Sequence, residues 1–191
     1  MESLRSMDVT WISIPALWIT VVPGHYHSGQ RKPDSLGANL SEYNKQAFGM
    51  RDHEIICVAA TSPSSVMVLL SALAFHQIGT QQPHKVWIQI EAKGRVPDIN
   101  WPKLRVVRTR VSDLFEIGVE THQLGGQNVK ITNPARTVAD CFKHRNKLGL
   151  EVCIEAAREA VRGKKATVSD MAEMAKQLRV LSLMQPYLEV I

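Results

Sequence analysis

A chain of 191 residues, 45% hydrophobic and 21% charged, is long enough to bury a core in one compact domain with a small appendage. Its three cysteines, Cys57, Cys141 and Cys153, form no C-x-x-C pair, which favours reduced thiols in a cytoplasmic protein over an exported disulfide framework. The apolar run at residues 9–22 contains Pro15 and is too short to span a bilayer, so no membrane association is expected.

The net charge of +5 is unevenly distributed. Residues 1–60 carry five Lys or Arg against six Asp or Glu, whereas residues 61–130 carry eight against five and residues 131–191 carry ten against seven. The basic excess therefore lies after residue 60, and it favours an anionic partner for that part of the chain.

The first third of the chain predicts a pair of strands followed by a linker. Trp, Ile, Val and Thr dominate residues 9–22, which favours two short strands. Residues 27–44 are rich in Gly, Ser, Pro, Asn and charge and read as a linker. We therefore place a domain boundary there, with one segment at 1–45 and a folded domain at 46–191.

The middle of the chain predicts one buried helix and then several strands. The run "HEIICVAA" fits a buried strand or the start of a helix, and residues 62–79 are apolar on every side and end at Gly79, as a central helix would. His76 near its end is interpreted as a core-edge histidine with one hydrogen bond. Strands are predicted at residues 86–91 and 104–110, and a hairpin turns at Gly125 and Gly126.

The last third of the chain predicts helices only. Asn133 is a suitable N-cap before Pro134, and an apolar stripe with spacing i, i+3, i+4 and i+7 follows. Arg136 and Asp140 are expected to pair on the outer side of this helix. Further helices are predicted over residues 150–162, after a Thr167–Asp170 cap, and near the C-terminus around Pro186. The fold class is therefore α/β (α+β), with a mixed sheet of about four to six strands packed with helices and an all-helical C-terminal part.

The sequence lacks the stronger catalytic motifs. A Gly-rich phosphate loop, H-E-x-x-H and G-x-S-x-G are all absent, so no enzyme activity, cofactor or metal is expected. One alternative stays open, because Glu91 and Lys93 follow a predicted strand with the E-x-K spacing of metal-dependent nucleases. That chemistry needs a second carboxylate to hold Mg²⁺, and the order of the chain does not supply one nearby.

Cations are the preferred candidates for a functional site. Arg108 and Arg110 alternate onto one side of their strand, while Lys143, Arg145 and Lys147 crowd the end of a helix, where the helix dipole also favours them. Brought together, the five residues would form a positive patch for nucleic acid or another anionic partner.

Four segments in order carry a family resemblance: "LLSALAFHQIGTQQPHKVWIQI", "WPKLRVVR", "NPARTVADCFKHRNKLGLEVCIEAAREAV" and "MQPYLE". Over about residues 55–190, the chain resembles the AbiEi family of antitoxins and transcriptional regulators from bacterial type IV toxin-antitoxin systems.

The resemblance implies a regulator that represses its own operon and counters a nucleotidyltransferase-like toxin, so its expected partners are operator DNA and that toxin. Family members join an N-terminal winged helix-turn-helix to a mixed α/β domain. Here "VVPGHYH" would lie near the wing, with about twenty residues before it instead of roughly forty, so residues 1–45 are interpreted as an incomplete winged-helix remnant with a wing-like strand segment and linker. A degenerate domain that only binds another protein is a further alternative.

Overall fold

The computed structural model describes residues 11–14, 17–20, 50–110 and 112–191. The chain divides into two compact units, residues 1–47 and 48–191. In the first unit, β1 (Trp11–Ile14) pairs antiparallel with β2 (Leu17–Thr20), which confirms the predicted strand pair. The predicted linker and the rest of the proposed winged-helix remnant lie outside the described residues.

A five-stranded mixed sheet is the centre of the second unit. The strands are β3 (Val66–Met67), β4 (Val86–Glu91), β5 (Leu104–Thr109), β6 (Val119–Leu124) and β7 (Gln127–Thr132). Their order in the sheet is β5-β4-β3-β7-β6, with parallel pairing between β4 and β5 and between β3 and β7, and antiparallel pairing elsewhere. This sheet, together with the helices on it, confirms the predicted mixed α/β class.

Helices fill the rest of the second unit. A 3₁₀ turn at Ser112–Phe115 lies between β5 and β6. Pro186 lies inside the last helix. The described helices are α1 (Met50–Thr61), α2 (Leu69–Phe75), α3 (Pro134–Lys143), α4 (Arg145–Leu148), α5 (Leu150–Arg162), α6 (Val168–Gln177) and α7 (Leu181–Leu188).

The single helix predicted over residues 62–79 is wrong, because the segment contains a strand and a shorter helix. Val66 and Met67 pair with β4 on one side and with β7 on the other, in the middle of the sheet. Val68 is then extended and Leu69, the first residue of the shorter helix, has a positive φ of 51°, so a right-handed helix does not run through this point. Both elements are apolar because both are buried, so hydrophobicity alone could not separate them.

The sheet separates two hydrophobic cores. One face packs against the helices α2 and α3 and α5 to α7, with Trp87 and Val107 contributed by the strands. The other face packs against α1, where Ile88 and Ile131 meet Val58. Because side chains alternate along a strand, β3 and the first five residues of β4 are buried on both faces, whereas the outer strands β5 and β6 are not.

Helix α3 is built as the sequence predicts at its start. The Asn133 side chain accepts a hydrogen bond from the backbone N–H of Arg136, and Pro134 occupies the first helical position. All residues from Ala135 to Phe142 are buried, so the helix has no solvated outer side over that range. The helix is therefore a central element of the domain.

The outer-side placement expected for Arg136 and Asp140 is wrong. Arg136 is 0% exposed, its Nε donates to the Asp140 carboxylate at 2.9 Å, and its other nitrogens donate to the carbonyls of Leu114 and Ile117. The segment between β5 and β6 covers this side of α3 and supplies those carbonyls. The Arg136–Asp140 pair, which the helical pattern places on the solvent side, is therefore enclosed by the segment between β5 and β6.

The cysteines are free thiols, in agreement with the prediction of reduced cysteines. Burial raises the pKa of Cys153 to about 11 and raises that of Cys141 as well, so both remain protonated and poorly nucleophilic near neutral pH. Within the described ranges, none of the helices has both the length and the apolar character needed to cross a membrane.

Candidate nucleic-acid interface

The five cations predicted as a site fall into two groups. Arg108 lies near the end of β5 and Arg110 follows that strand, whereas Lys143 ends α3 and Arg145 and Lys147 belong to α4. All are exposed except Arg145, which is half-buried. Each group therefore presents positive charge to solvent.

The sheet lies between Arg108 and the second group. Val107 belongs to the core beneath the helices, and Val106 packs against the core beneath α1. Arg108 alternates with Val107 and so lies on the α1 face of the sheet. We call Lys143, Arg145 and Lys147 the helix-end cations; they are carried by the helical layer on the other face.

Arg108 has a structural contact that its sequence position does not reveal. Its Nη1 donates to the carbonyl oxygens of Ala92 and Gly94 at 2.8 Å each, and more distantly to that of Glu91 at 3.4 Å. These carbonyls belong to the turn that leaves β4, where Gly94 N–H also donates to the Glu91 carbonyl at 3.0 Å. Arg108 therefore holds this turn in place while remaining charged and exposed.

The helix-end cations surround the end of α3. Burial lowers the pKa of His144, the Asp140 carboxylate opposes that change, and the charges of Lys147 and Lys143 lower it further. Lys143 precedes His144 directly in the chain, and Lys147 follows it by three residues. The His144 N–H also donates to the carbonyls of Asp140 and Cys141 at the end of α3, so the cations meet the negative end of a buried helix dipole.

These cations have no carboxylate partner among the described ion pairs. The three pairs within 4 Å in that part of the chain join Glu120 with His122, Arg136 with Asp140, and Glu159 with Arg162. An unpaired surface cation keeps its full charge for an approaching anion, since no neighbouring carboxylate neutralises it.

Glu91 and Lys93, the residues of the nuclease alternative, lie where the sequence predicts. Glu91 is the exposed last residue of β4, and Lys93 is exposed in the turn that follows. Across the described ranges, no three His, Cys, Asp or Glu side chains gather into a group that could hold a metal ion. The nuclease alternative stays a hypothesis without that supporting geometry.

A shallow cleft of about 260 Å³ opens elsewhere, at the start of α3 and α6. Its lining includes three acids, Glu120, Asp170 and Glu173, and one cation, Lys165. None of the predicted site residues lines it. Its negative balance makes it unsuitable for the anionic partner expected at the cations.

Sequence reasoning missed the exposed residues of the connection between β4 and β5. Val96 and Trp101 are 39% and 42% exposed, which sets them among the few large apolar side chains at the described surface. Lys103 and Arg105 lie beside them and are also exposed. The high density of Lys and Arg between residues 85 and 110 could have identified this segment. Counting charges over each third of the chain hides that density.

Neither the protein-family models nor the curated proteins contain a match to this chain.

Proposed function

We propose that this chain is an antitoxin and transcriptional autoregulator of the AbiEi type, acting by binding and not by catalysis. The resemblance over about residues 55–190 falls within the compact unit of residues 48–191. One structural observation supports a binding role: the helix-end cations lie at the end of the buried helix α3 and in the short helix that follows it, and none of them is in a described ion pair. Cations without a carboxylate partner suit the recognition of phosphates.

The proposed partners are operator DNA and a nucleotidyltransferase-like toxin encoded beside the chain, in the bacterial cytoplasm. Lys143 and Lys147 are exposed and Arg145 is half-buried, so the three charges differ in their freedom to move. Arginine can bind a phosphate with two parallel hydrogen bonds, whereas a lysine acts as a point charge. We expect Arg145 to orient the partner and the two lysines to add attraction.

DNA binding is tested with a labelled duplex from upstream of the coding sequence, by fluorescence anisotropy between about 50 and 200 mM salt. If three phosphates are neutralised, the plot of log affinity against log salt has a slope near −3, because each contact releases about 0.9 counterions. The triple variant Lys143→Gln/Arg145→Gln/Lys147→Gln is expected to reduce that slope by about 3.

The matched control removes three other exposed cations, in the variant Arg158→Gln/Lys164→Gln/Lys176→Gln. It lowers the net charge by the same amount but leaves the helix-end cations intact. Equal losses of affinity in the two triple variants would show that DNA binding depends on the overall charge and not on the helix-end cations. Affinity that does not change with salt would contradict the proposal itself.

The antitoxin role is tested by co-expression with the product of the neighbouring gene. The wild type is expected to restore growth that this product inhibits, and co-purification shows whether direct contact is involved. Co-purification without growth rescue or DNA binding would favour the degenerate interaction domain. Plasmid cutting that requires Mg²⁺ and disappears in Glu91→Ala would replace the proposal with the nuclease.

A further inference from the structure

The strongest concentration of charge lies at one edge of the sheet, apart from the helix-end cations. Residues 85–110 contain seven Lys or Arg and only two acids, Glu91 and Asp98, and all seven cations are exposed. Outside this segment the chain has sixteen of each sign, so the segment accounts for the whole net charge of +5. We call these cations the basic edge: Lys85, Lys93, Arg95, Lys103, Arg105, Arg108 and Arg110.

Strand register sets where these cations lie. Within the described sheet, β5 is an outer strand that pairs only with β4. Lys85 and Lys103 precede the register pair Val86–Leu104, and the Val86 N–H donates to the Lys103 carbonyl at 2.9 Å, so both lysines lie at one end of the two strands. Lys93 and Arg110 follow the register pair Glu91–Thr109 at the other end. The cations thus extend along about 20 Å of edge, the length of a six-residue strand.

Contacts with the protein hold part of the basic edge in place. Arg108 binds the carbonyls of Ala92 and Gly94 and so fixes the turn that carries Lys93. The Arg105 guanidinium lies 5.5 Å from the centroid of the Trp87 ring, a cation–π distance. None of the seven cations takes part in an ion pair found in the described ranges. Their charge is therefore positioned and not neutralised.

Trp101 adds an aromatic surface to this row. It is 42% exposed, and only Pro102 separates it from Lys103 in the chain. Tryptophan usually buries most of its area, so an exposed indole close in the chain to several cations is a candidate for contact with a partner. An indole can stack on a nucleic-acid base while neighbouring cations bind the phosphates.

We propose that the basic edge with Trp101 is a binding site for single-stranded nucleic acid. In a duplex the base faces are stacked inside the helix, whereas an unpaired strand can place a base against Trp101. An acidic peptide without aromatic residues would satisfy the cations but has no flat face to stack on the indole. This inference does not depend on the antitoxin proposal, because the helix-end cations are not part of the site.

The test measures the binding of a labelled oligo-dT and oligo-rU of about 15 nucleotides, within the range that one binding module covers. The full chain is titrated at about 50 and 200 mM salt, with a duplex of equal length and a poly-glutamate peptide as competitors. We expect both single strands to bind, the affinity to fall with salt, and each competitor to be less effective than unlabelled oligo-dT.

Variants separate stacking from charge. Trp101→Ala is expected to lower the affinity about 5- to 140-fold, the loss of one base stack, whereas Trp101→Phe retains most of it. The variant Lys93→Gln/Arg95→Gln/Lys103→Gln is expected to weaken binding at least tenfold and to flatten its salt dependence. The control Arg158→Gln/Lys164→Gln/Lys176→Gln removes three exposed cations outside both proposed sites, has the same net charge, and is expected to bind within twofold of the wild type.

Several results would overturn this inference. Equal losses in the two triple variants would show that total charge and not the basic edge matters, and an unchanged affinity in Trp101→Ala would remove the stacking role. Preference for the duplex would exclude a single-strand site, and equal competition by poly-glutamate would indicate an acidic protein partner. If Trp101→Ala does not unfold cooperatively, the variant Trp101→Phe is used instead. Oligo-dT should quench the tryptophan fluorescence of this variant to a different extent from that of the wild type, because the stacked indole is missing. Identical quenching in the two proteins contradicts the proposal.

Discussion

Arg136 shows how a single residue joins three parts of the domain. Its guanidinium pairs with Asp140 in its own helix and donates to the carbonyls of Leu114 and Ile117 in the segment before β6. The Leu114 carbonyl also accepts from the Gln89 side chain at 2.9 Å, so the same carbonyl links β4 to α3. A buried cation with several acceptors fixes the position of each group that it contacts.

Removing Arg136 is therefore expected to be severe. Arg136→Met leaves the Asp140 carboxylate, which is 4% exposed, without its cation, and breaking a buried pair in this way costs about 3–5 kcal/mol. The free energy of unfolding in urea measures the loss. The double variant Arg136→Met/Asp140→Leu should lose less than the sum of the single variants, because no unpaired charge remains. Strictly additive losses would contradict the coupling.

His76 is predicted to make stability depend on pH. Burial lowers the pKa of His76 below 6.5, and the charges of His122 and Lys165 lower it further. The hydrogen bond from Nε2 to the Thr132 carbonyl and the charge of Glu120 raise the pKa, but they do not offset the effect of burial. Because the folded pKa is the lower one, protonation favours the unfolded chain. The stabilisation is present above pH 6.5 and is lost as pH falls through the folded pKa.

The measurement compares the wild type with His76→Gln, which can still donate to the Thr132 carbonyl but does not titrate. We expect the wild type to lose stability relative to the variant as pH falls from about 7.5 to 5. His144 titrates in both proteins and cancels in the comparison. A difference that stays constant with pH would show that the His76 ring is not desolvated in the folded protein.

At the scale of single elements, α3 depends on its first turn. The Asn133 side chain satisfies the Arg136 N–H, and the Thr137 hydroxyl contacts the carbonyls of Thr132 and Asn133. We expect Asn133→Ala to lower the free energy of unfolding by about 1 kcal/mol, since one N–H loses its acceptor. Asn133→Asp retains an acceptor and should cost much less. Equal losses in the two variants would assign the effect to packing.

Local patterns predicted those elements whose formation depends on nearby residues. The strand at residues 86–91, the glycines between β6 and β7, the Asn133 cap and the Thr167–Asp170 capping box all agree with the structure, although β4 is buried on both faces and not on one as its alternation predicts. Strand β3 was missed because its partners are remote in sequence: Met67 lies opposite Ile88 and Ile131. A two-residue strand carries no periodicity of its own, so only its tertiary pairing identifies it.

The candidate site was predictable in composition but not in arrangement. Counting charges identifies the segments rich in Lys and Arg, and alternation predicts that Arg108 lies on the face opposite to Val107. The contacts of Arg108 with the turn after β4 and the exposure of Trp101 depend on how a twelve-residue connection folds. A connection without helix or strand has no hydrophobic repeat from which its shape could be derived.

At the scale of the whole molecule, residues 48–191 are predicted to fold without the first unit. Both described cores are formed entirely from residue 55 onward. A fragment starting at Phe48 should therefore show one cooperative thermal transition by circular dichroism, within a few degrees of the full chain. A broad, non-cooperative transition would mean that residues before Phe48 are needed to complete the core.

The central position of β3 has a consequence for synthesis of the protein on the ribosome. In register Val66 pairs with Lys130, 64 residues further along the chain. At about 5–20 residues per second, the second strand of this pair emerges roughly 3–13 seconds after the first. During that interval Val66 and Met67 lack their β7 partner, so we expect the nascent chain to expose an unpaired strand edge of the kind that chaperones bind.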